Sequence, residues 1–577
     1  MEAIELRLFA ARLQAVCDEM GVALRRAAFS PNIKDRLDFS CALFTPAGLL
    51  LAQAAHIPVH LGSMAFAMRS LVAGIDWQPG DVAIVNDPFL GGTHLPDVTV
   101  VTPVFAPGSY ATPACATTAD ATTADASTPK DGMLIAFVVD RAHHANIGAS
   151  EPGSMPVSRS LAEEGVLIPP QLLLRGGVLQ PGIRPALAAI AAAAGEPGSA
   201  AALQHAPDLL AHPALADLRA QVSANEIGKA RVLALHARGA QAHGAQAHGT
   251  RAHGTQSQWQ AGAAALDAYA ERMARSALAR LPHGEARFTD LLDDDGQGNL
   301  DLRITLRVRV GDDGIDVDFA GTADQVEGNV NCPLSVTAAA VFYVFRCLLP
   351  AETPACAGTF APIRLSAPLG CLVNARAPAA VAAGNVETSM RIVDALLGAL
   401  AQLQPARFPA ASQGTMNNVA MGSRVAMGSR RANGRWDYYE TIAGGHGASA
   451  QAAGLSARHA HMTNTLNTPV ESLEAHYPLR VRRYTRRRDG GGEGLHAGGA
   501  GVEKEFEFLA PTRVSLLGER RRRGPWGLAG GRDGAPGSNL LNGEAVGGKV
   551  SFDAAAGDRL LLRTPGGGGW GMPEPGA

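Results

Sequence analysis

A polar loop between two short runs of β-branched residues carries the groups best suited to chemistry. The runs are 82–85 and 98–101, and the loop holds Asn86, Asp87, His94 and Asp97 among two glycines and two prolines. Glycine permits tight turns and proline limits chain freedom, so an imidazole and a carboxylate three residues apart can converge on one point. Such nitrogen and oxygen ligands suit Mn²⁺, Fe²⁺ or Zn²⁺. The loop by itself is equally compatible with Asp and His side chains that only cap turns.

A second histidine motif follows a predicted buried strand. Residues 134–141 are mostly apolar, and His143 and His144 come directly after them. Because successive side chains of a strand point to opposite faces, at most one of this pair is expected to bind the same ion as the His94 loop. The sequence leaves open which one. Two further histidines, His56 and His60, are separated by Pro58, which argues against a metal pair in the interior of a helix.

Composition limits the class of protein. The chain has 577 residues, 46% of them hydrophobic and 18% charged, with a net charge of −3, which predicts a globular protein of two or three lobes. The charge gives no reason to expect a nucleic acid or an acidic membrane as a partner. Seven scattered cysteines without a CxxC pair, a charged N-terminus and the lack of a long apolar run predict a cytoplasmic protein without membrane spans.

The elements that must position these groups divide into four predicted regions. An N-terminal lobe, 1–235, opens with an amphipathic helix and contains an insert at about 106–130 that we expect to be disordered. A spacer rich in His, Gly and Ala, 236–257, is expected to be flexible. A middle α/β lobe, 258–405, contains an alternating strand at 300–310 and apolar helices at 335–349 and 389–403. A C-terminal lobe covers 406–577.

Further candidate residues lie in loops that combine amides with glycines. Such loops suit recognition of a small polar amide or carboxylate, and the substrate-binding candidates are Asn331, Asn385, Glu387 and Asn417. Each asparagine alone is also typical of a turn. The catalytic candidates are His446, whose ordinary pKa suits proton transfer at neutral pH, and Asp87. The glycine run 566–569 is not followed by the Lys-Ser/Thr of a phosphate-binding loop.

Several ordered motifs resemble the hydantoinase B/5-oxoprolinase B family, which includes subunits of N-methylhydantoinases and relatives in acetone carboxylases. They are NDPFLGGTHLPD at 86–97, RAHHANIG at 141–148, PGSMP at 152–156, GNVNCP at 328–333, AGNVETS at 383–389, HMTNTLNTP at 461–469 and TPGGGGWG at 564–571. They span nearly the whole chain. The resemblance implies a mixed α/β, multi-lobed fold.

The resemblance also implies a function and a metal site. It implies a B-type subunit that opens a cyclic amide, 5-oxoproline or a hydantoin, while a separate A-type subunit binds ATP. The implied ligands of a divalent metal (Mn, Fe or Zn) are Asp35, His94, Asp97 and His144, with His143 as the alternative to His144. The family has Glu where this chain has Asp35, so Asp38 is a possible substitute. The alternatives are a subunit of an ATP-dependent ketone carboxylase and a non-catalytic scaffold for the A-type subunit.

Overall fold

The computed structural model describes residues 2–54, 57–107, 132–194, 199–242, 251–423 and 436–573, and it confirms the mixed α/β fold. The predicted insert at 106–130 falls almost entirely outside the described residues. The helices are α1 Ala3–Ala27, α2 Pro31–Lys34, α3 Pro58–Ala73, α4 Arg184–Ala193, α5 Ala200–Leu203, α6 Ala216–Ala242, α7 Arg251–Leu278, α8 Leu334–Arg346, α9 Ser389–Leu403 and α10 Val470–His476.

An antiparallel sheet formed by strands between residues 39 and 179 carries the polar loop. Its strands are β1 Phe39–Phe44, β2 Leu50–Gln53, β3 Val82–Val85, β4 Asp97–Ala106, β5 Met133–His143, β6 Gln171–Arg175 and β7 Val178–Leu179, in the order β2-β1-β5-β4-β3-β6-β7. The three strands predicted around the His and Asp motifs are therefore confirmed. Central strands β3, β4 and β5 are buried along most of their length, which explains their near-continuous apolar sequences.

Helix α9 packs against a second sheet, and α8 packs against α9 and α3. This sheet contains β8 Gly284–Asp294, β9 Leu300–Gly311, β10 Gly314–Asp318 and β11 Ile363–Ser366, in the order β11-β10-β9-β8. The alternating apolar residues of β9 are buried and belong to the largest hydrophobic core, which also contains α8 and α9. One turn of π-helix, Gly384–Thr388, precedes α9 and carries Asn385 and Glu387.

Two further sheets, formed by strands between residues 418 and 563, pack face to face. Their strands, in chain order, are β12 Asn418–Ser423, β13 Asp437–Thr441, β14 Leu479–Arg486, β15 Val502–Phe508, β16 Thr512–Leu517, β17 Ser538–Leu541, β18 Glu544–Val546, β19 Lys549–Ala554 and β20 Arg559–Arg563. They form the sheets β13-β12-β16-β19 and β14-β15-β20-β17-β18. Residues from both sheets make up one hydrophobic core, so the two sheets bury their apolar faces against each other.

The spacer predicted at 236–257 is partly helical. Helix α6 continues to Ala242 and α7 begins at Arg251, while 243–250 lie outside the described residues. Alanine and glutamine favour helix strongly, which explains why these repeats extend the helices on both sides. Among the described residues, no helix is both long enough and apolar enough to span a bilayer.

A buried ion pair joins the two C-terminal sheets. Lys504 lies at an inward-facing position of β15, and its Nζ is 2.5 Å from Oε2 of Glu440 on β13; both side chains are fully buried. The ammonium group also lies 4.6 Å from the ring centroid of Tyr484. A buried charge is tolerated only when it is paired, so each member of this pair requires the other.

We therefore expect Lys504→Met to lower the free energy of unfolding by roughly 3–5 kcal/mol, because it leaves the buried carboxylate of Glu440 without its ion-pair partner. Chemical denaturation measures this change. Arg483→Met is the matched control, since Arg483 pairs with Glu503 at the surface of the neighbouring strand and should contribute about 1 kcal/mol or less. Equal stability of the two variants would contradict the structural role of the buried pair.

Candidate metal and active site

The candidate site is built around the carboxylate of Asp97, which is 1% exposed. Its Oδ1 lies 3.1 Å from Nε2 of His94 and 3.2 Å from Nδ1 of His143. Its Oδ2 lies 3.2 Å from Nε2 of His60 and accepts a 2.5 Å hydrogen bond from Oγ1 of Thr93. Three imidazoles and one hydroxyl therefore surround a single buried carboxylate.

Two paired strands, a helix and a turn bring these side chains together. Asp97 begins β4 and pairs directly with His143, the last residue of β5, so the two side chains leave the sheet at the same place. His60 belongs to the first turn of α3, because Pro58 occupies the first helical position, where its missing N–H costs no hydrogen bond. A backbone hydrogen bond from Asp97 N to His94 O closes the turn that places His94 on the same carboxylate.

Buried polar side chains hold the loop 86–96 against the sheet. The Asn86 side chain donates to Leu95 O and Val166 O and accepts from Ile168 N. The buried Arg141 guanidinium donates to Gly91 O at 2.7 Å and to hydroxyl groups on β4 and α3. These bonds fix the backbone that carries His94 and Asp97, so the site is preorganised.

The electrostatics of the cluster favour an ionised Asp97. Burial works to raise the pKa of this carboxyl, but the imidazoles of His94 and His60 hold it well below its usual value. Burial works to lower the pKa of His94, and Asp97 raises it above the usual value. The pKa of His143 is lowered by burial. The cluster thus combines a carboxylate with at least one neutral imidazole, which are the protonation states that bind metal.

The donor set fits a divalent ion. One potential ligand atom from each of His94, Asp97 and His143 lies within 4.8 Å of the other two. Nδ1 of His94 and Nε2 of His143 are buried without a hydrogen-bond partner among the described residues, while Nε2 of His94 lies 3.1 Å from Oδ1 of Asp97. Unpartnered buried nitrogens are costly unless something binds them. Two imidazoles and a carboxylate suit Mn²⁺, Fe²⁺ or Zn²⁺.

The structure brings together some of the predicted ligands and separates others. His143 lies on Asp97, whereas His144 points to the opposite side and its Nε2 hydrogen-bonds Oε1 of Gln221 at 2.8 Å. Asp38 lines the cavity beside the cluster. Asp35 is a half-buried residue at the end of α2 and is not among the residues that line this cavity. Strand alternation explains the separation of the two histidines.

A narrow cavity opens onto the cluster. Its free volume of about 20 Å³ is enough for an ion or a water molecule. Apolar side chains cover much of its wall; they are Ile57, Val59, Val386, Met416 and Met462. Asn385 also lines the cavity, and its buried Oδ1 has no partner among the described residues. This oxygen can accept a hydrogen bond from a water molecule bound in the cavity.

The remaining amide candidates hold backbone segments together. Asn331 accepts from Val326 N and donates to Val326 O, Gly328 O and Ala380 O, which uses its full donor capacity. Asn417 donates to Gln413 and to a backbone carbonyl and accepts from Arg521. Neither residue lines the cavity.

The two catalytic candidates lie outside the lining of the cavity. His446 Nε2 donates to His459 O at 2.8 Å, and burial lowers the pKa of His446. Asp87 Oδ1 accepts from Phe89 N at 2.9 Å, which is the turn-capping arrangement, and burial raises its pKa. Catalytic roles for both residues remain predictions.

Sequence reasoning missed three members of the site. His60 and Thr93 bond Asp97, and the Tyr439 ring stacks on His143 with centroids 4.9 Å apart and an angle of 10°. The Tyr439 hydroxyl donates to Asn418 Oδ1 at 2.7 Å, which fixes the ring that orients His143. Pro58 was a usable signal for His60, because proline is common at the first position of a helix. Tyr439 comes from a distant strand and had no such signal.

Glu387 is a fully buried acid behind the cavity. Its Oε1 accepts from Met416 N and from Nδ2 of Asn418, while Oε2 has no partner among the described residues. Burial raises the pKa of Glu387 to about 8; Glu519 adds to the shift and Lys549 opposes it. The group is therefore largely protonated at neutral pH.

Comparison with known proteins identifies relatives along the entire chain. The family described as Hydantoinase B/oxoprolinase matches residues 2–573. The chain is 36% identical to 5-oxoprolinase 1 of Arabidopsis thaliana over 99% of its length but spans only 42% of that protein. It is 33% identical to an uncharacterized protein of Methanocaldococcus jannaschii, over 99% of this chain and 91% of the relative.

A solved structure shares the fold. The ATP-dependent caprolactamase from Pseudomonas jessenii superposes with a TM-score of 0.81 at 24% identity, covering 99% of this chain and 91% of the other. Similar folds therefore cover nearly all of both chains.

The metal site predicts different results for two adjacent histidines. We expect His143→Ala to weaken binding of Mn²⁺ or Zn²⁺ by about tenfold or more, because it removes a ligand that faces Asp97. His144→Ala, whose side chain faces Gln221, should bind metal as the unmodified protein does. Metal content after dialysis measures both. Equal losses in the two variants, or none in either, would contradict the proposed ligand set.

Glu387 predicts a specific pH dependence of stability. Its pKa is about 8 in the folded protein and its ordinary value is 4.5, so the folded state holds a proton that the unfolded state releases between these values. The free energy of unfolding should fall as pH rises through this window, and Glu387→Gln should abolish this contribution. Denaturation at about pH 5.5 and 8 tests this, with the surface variant Glu285→Gln as control. Parallel pH profiles of Glu387→Gln and the unmodified protein would contradict it.

Proposed function

Because the chain belongs to the hydantoinase B/oxoprolinase family, we propose that it is the B-type part of an ATP-dependent amidohydrolase that opens 5-oxoproline or a hydantoin. The observation that carries the proposal is the buried Asp97 cluster beside a cavity, in which His94 Nδ1 and His143 Nε2 have no hydrogen-bond partner among the described residues. Buried nitrogens without partners are costly, which favours a bound ion at this place.

The proposal assigns ATP to an A-type partner. An unstrained five-membered amide ring resists hydrolysis, so activation by ATP supplies the driving force. The lengths of the relatives support a divided enzyme, since this chain spans 42% of the 5-oxoprolinase from Arabidopsis thaliana but 91% of the protein from Methanocaldococcus jannaschii. The longer proteins have room for an A-type region within one chain, and under this proposal the shorter ones work with a separate subunit.

The residues of the cluster divide into two sets. His94, Asp97 and His143 would hold the divalent ion, which when bound supplies Lewis acidity or a water molecule of lowered pKa. His60 and Thr93 orient the Asp97 carboxylate through its other oxygen. Such supporting contacts fix the direction of a ligand. Their loss commonly lowers metal affinity by about 10- to 100-fold.

The walls of this narrow cavity shield the metal site. Asn385 Oδ1 can accept a hydrogen bond from a water molecule bound there, and the apolar side chains beside it limit the access of solvent. Tyr439, held by Asn418, keeps the His143 ring in one orientation. These contacts keep the metal site preorganised.

The test is ring opening by this chain mixed with its A-type partner, ATP and either 5-oxoproline or hydantoin. We expect product only in the mixture, and we expect His94→Ala to lower turnover by more than about 100-fold while the complex still forms. Asp35→Asn is the matched control, because Asp35 lies outside the lining of the cavity and its loss should leave turnover nearly unchanged. Size-exclusion chromatography checks complex formation.

Full turnover by the His94→Ala complex would contradict a catalytic cluster and would favour a scaffold role for this chain. Loss of turnover in Asp35→Asn with retention in His94→Ala would place the chemistry elsewhere.

A further inference from the structure

A second cavity lies beside the Asp97 cavity and shares one wall with it. Its free volume is about 230 Å³, which is enough for a small organic molecule. The end of β2, the start of α3 and the end of α8 enclose it, and Ile57 lines both cavities. Neither the proposed reaction nor the family resemblance assigns anything to this space.

Gln53 supplies an unsatisfied amide to this cavity. The residue is 2% exposed, and neither Oε1 nor Nε2 has a hydrogen-bond partner among the described residues. A buried amide without partners costs about 1–3 kcal/mol for each unsatisfied group. A ligand that offers both a donor and an acceptor would satisfy it.

Arg346 supplies an unpaired positive charge. The residue is half-buried, its Nη1 is buried without a hydrogen-bond partner, and within the described ranges no ion pair includes it. Burial lowers its pKa from the usual value, which reflects the cost of leaving the guanidinium without a counter-charge. The planar guanidinium group of arginine can form two parallel hydrogen bonds to a carboxylate or to a phosphate. A ligand with one of these groups therefore suits Arg346.

The rest of the cavity is mainly apolar and reaches the surface. Ile57, Pro58 and Tyr343 form part of the wall, and the neighbouring Cys347 is exposed. Methylene groups of a small ring would contact the apolar wall. The cavity is therefore open to a ligand from solvent.

We propose that this cavity is a recognition site for a small lactam that carries a carboxylate, with Arg346 binding the carboxylate and Gln53 binding the ring amide. The Gln53 Oε1 accepts the lactam N–H, and its Nε2 donates to the lactam carbonyl. The proposal rests on the proposed function for its substrate class, and within that class it selects a 5-oxoproline-type ring over an uncharged hydantoin.

A hydrogen-bonded path connects this recognition site to the metal cluster. Ser40 lines the cavity, and its Oγ lies 3.1 Å from Nδ1 of His60, whose Nε2 contacts Asp97. The same hydroxyl accepts from Ile57 N at 3.3 Å. Ser40 therefore links the recognition site to His60, which orients the metal ligand Asp97.

The test compares binding of two matched ligands to the complete chain with its A-type partner and without ATP. 5-Oxoproline and 2-pyrrolidinone share the lactam ring and differ in the carboxylate. By titration calorimetry we expect 5-oxoproline to bind at least about tenfold more tightly, and Arg346→Gln to remove this difference without changing the affinity for 2-pyrrolidinone. Gln53→Leu should weaken both ligands, and Arg346→Lys should restore part of the preference.

A second measurement locates the bound ligand. Bound 5-oxoproline should slow alkylation of Cys347 by iodoacetamide, as measured by peptide mass spectrometry, because Cys347 lines the same cavity. Thermal midpoints show whether the variants are folded. If Arg346→Gln is unstable, the protection of Cys347 in the unmodified chain still decides the location.

The outcomes separate the two proposals. His94→Ala should bind 5-oxoproline normally although it fails to open the ring. Normal binding with no turnover by the unmodified complex would overturn the proposed function and leave the recognition site standing. Equal affinity for the two ligands, unchanged binding in Arg346→Gln, or no protection of Cys347 would overturn the recognition site even if the complex opens 5-oxoproline.

Discussion

The ionised carboxylate of Asp97 is the constraint on which the rest of the site depends. Removing such a charge from water costs several kcal/mol unless close partners replace the lost hydration. His94, His143, His60 and Thr93 provide these contacts, and they come from the polar loop, β5 and the first turn of α3. The buried charge therefore depends on three features of the fold. They are the register of β4 against β5, the start of α3 at Pro58 and the anchored loop.

Local sequence patterns were enough to predict the strands of the site and the His-x-x-Asp turn. The apolar runs predicted β3 and the central parts of β4 and β5. Strand alternation limited the predicted metal ligand to one of His143 and His144. The choice between them depends on pairing with Asp97, which is a property of the folded sheet. His60 and Tyr439 could not be assigned for the same reason, since their contacts with the cluster join elements far apart in the chain.

The amide-rich loops show a different limit of sequence reasoning. Asparagines beside glycines suggested substrate recognition, but Asn331 and Asn417 use their side chains to hold irregular backbone segments. Only Asn385 among the predicted asparagines lines the Asp97 cavity with an unpartnered oxygen. Composition cannot separate these roles, because both require the same side chain and differ only in whether a backbone group from another segment reaches it. Gln53, which no sequence motif singled out, has a buried amide without a hydrogen-bond partner among the described residues.

The proposed metal site and the proposed recognition site lie in neighbouring cavities that share Ile57. The central proposal is that the Asp97 cluster holds a divalent ion, and a crystal of this chain grown with Mn²⁺ tests it most directly. The anomalous difference map should contain a peak within bonding distance of His94, Asp97 and His143. A fully occupied manganese peak elsewhere, with no peak within bonding distance of these three side chains, would contradict this proposal.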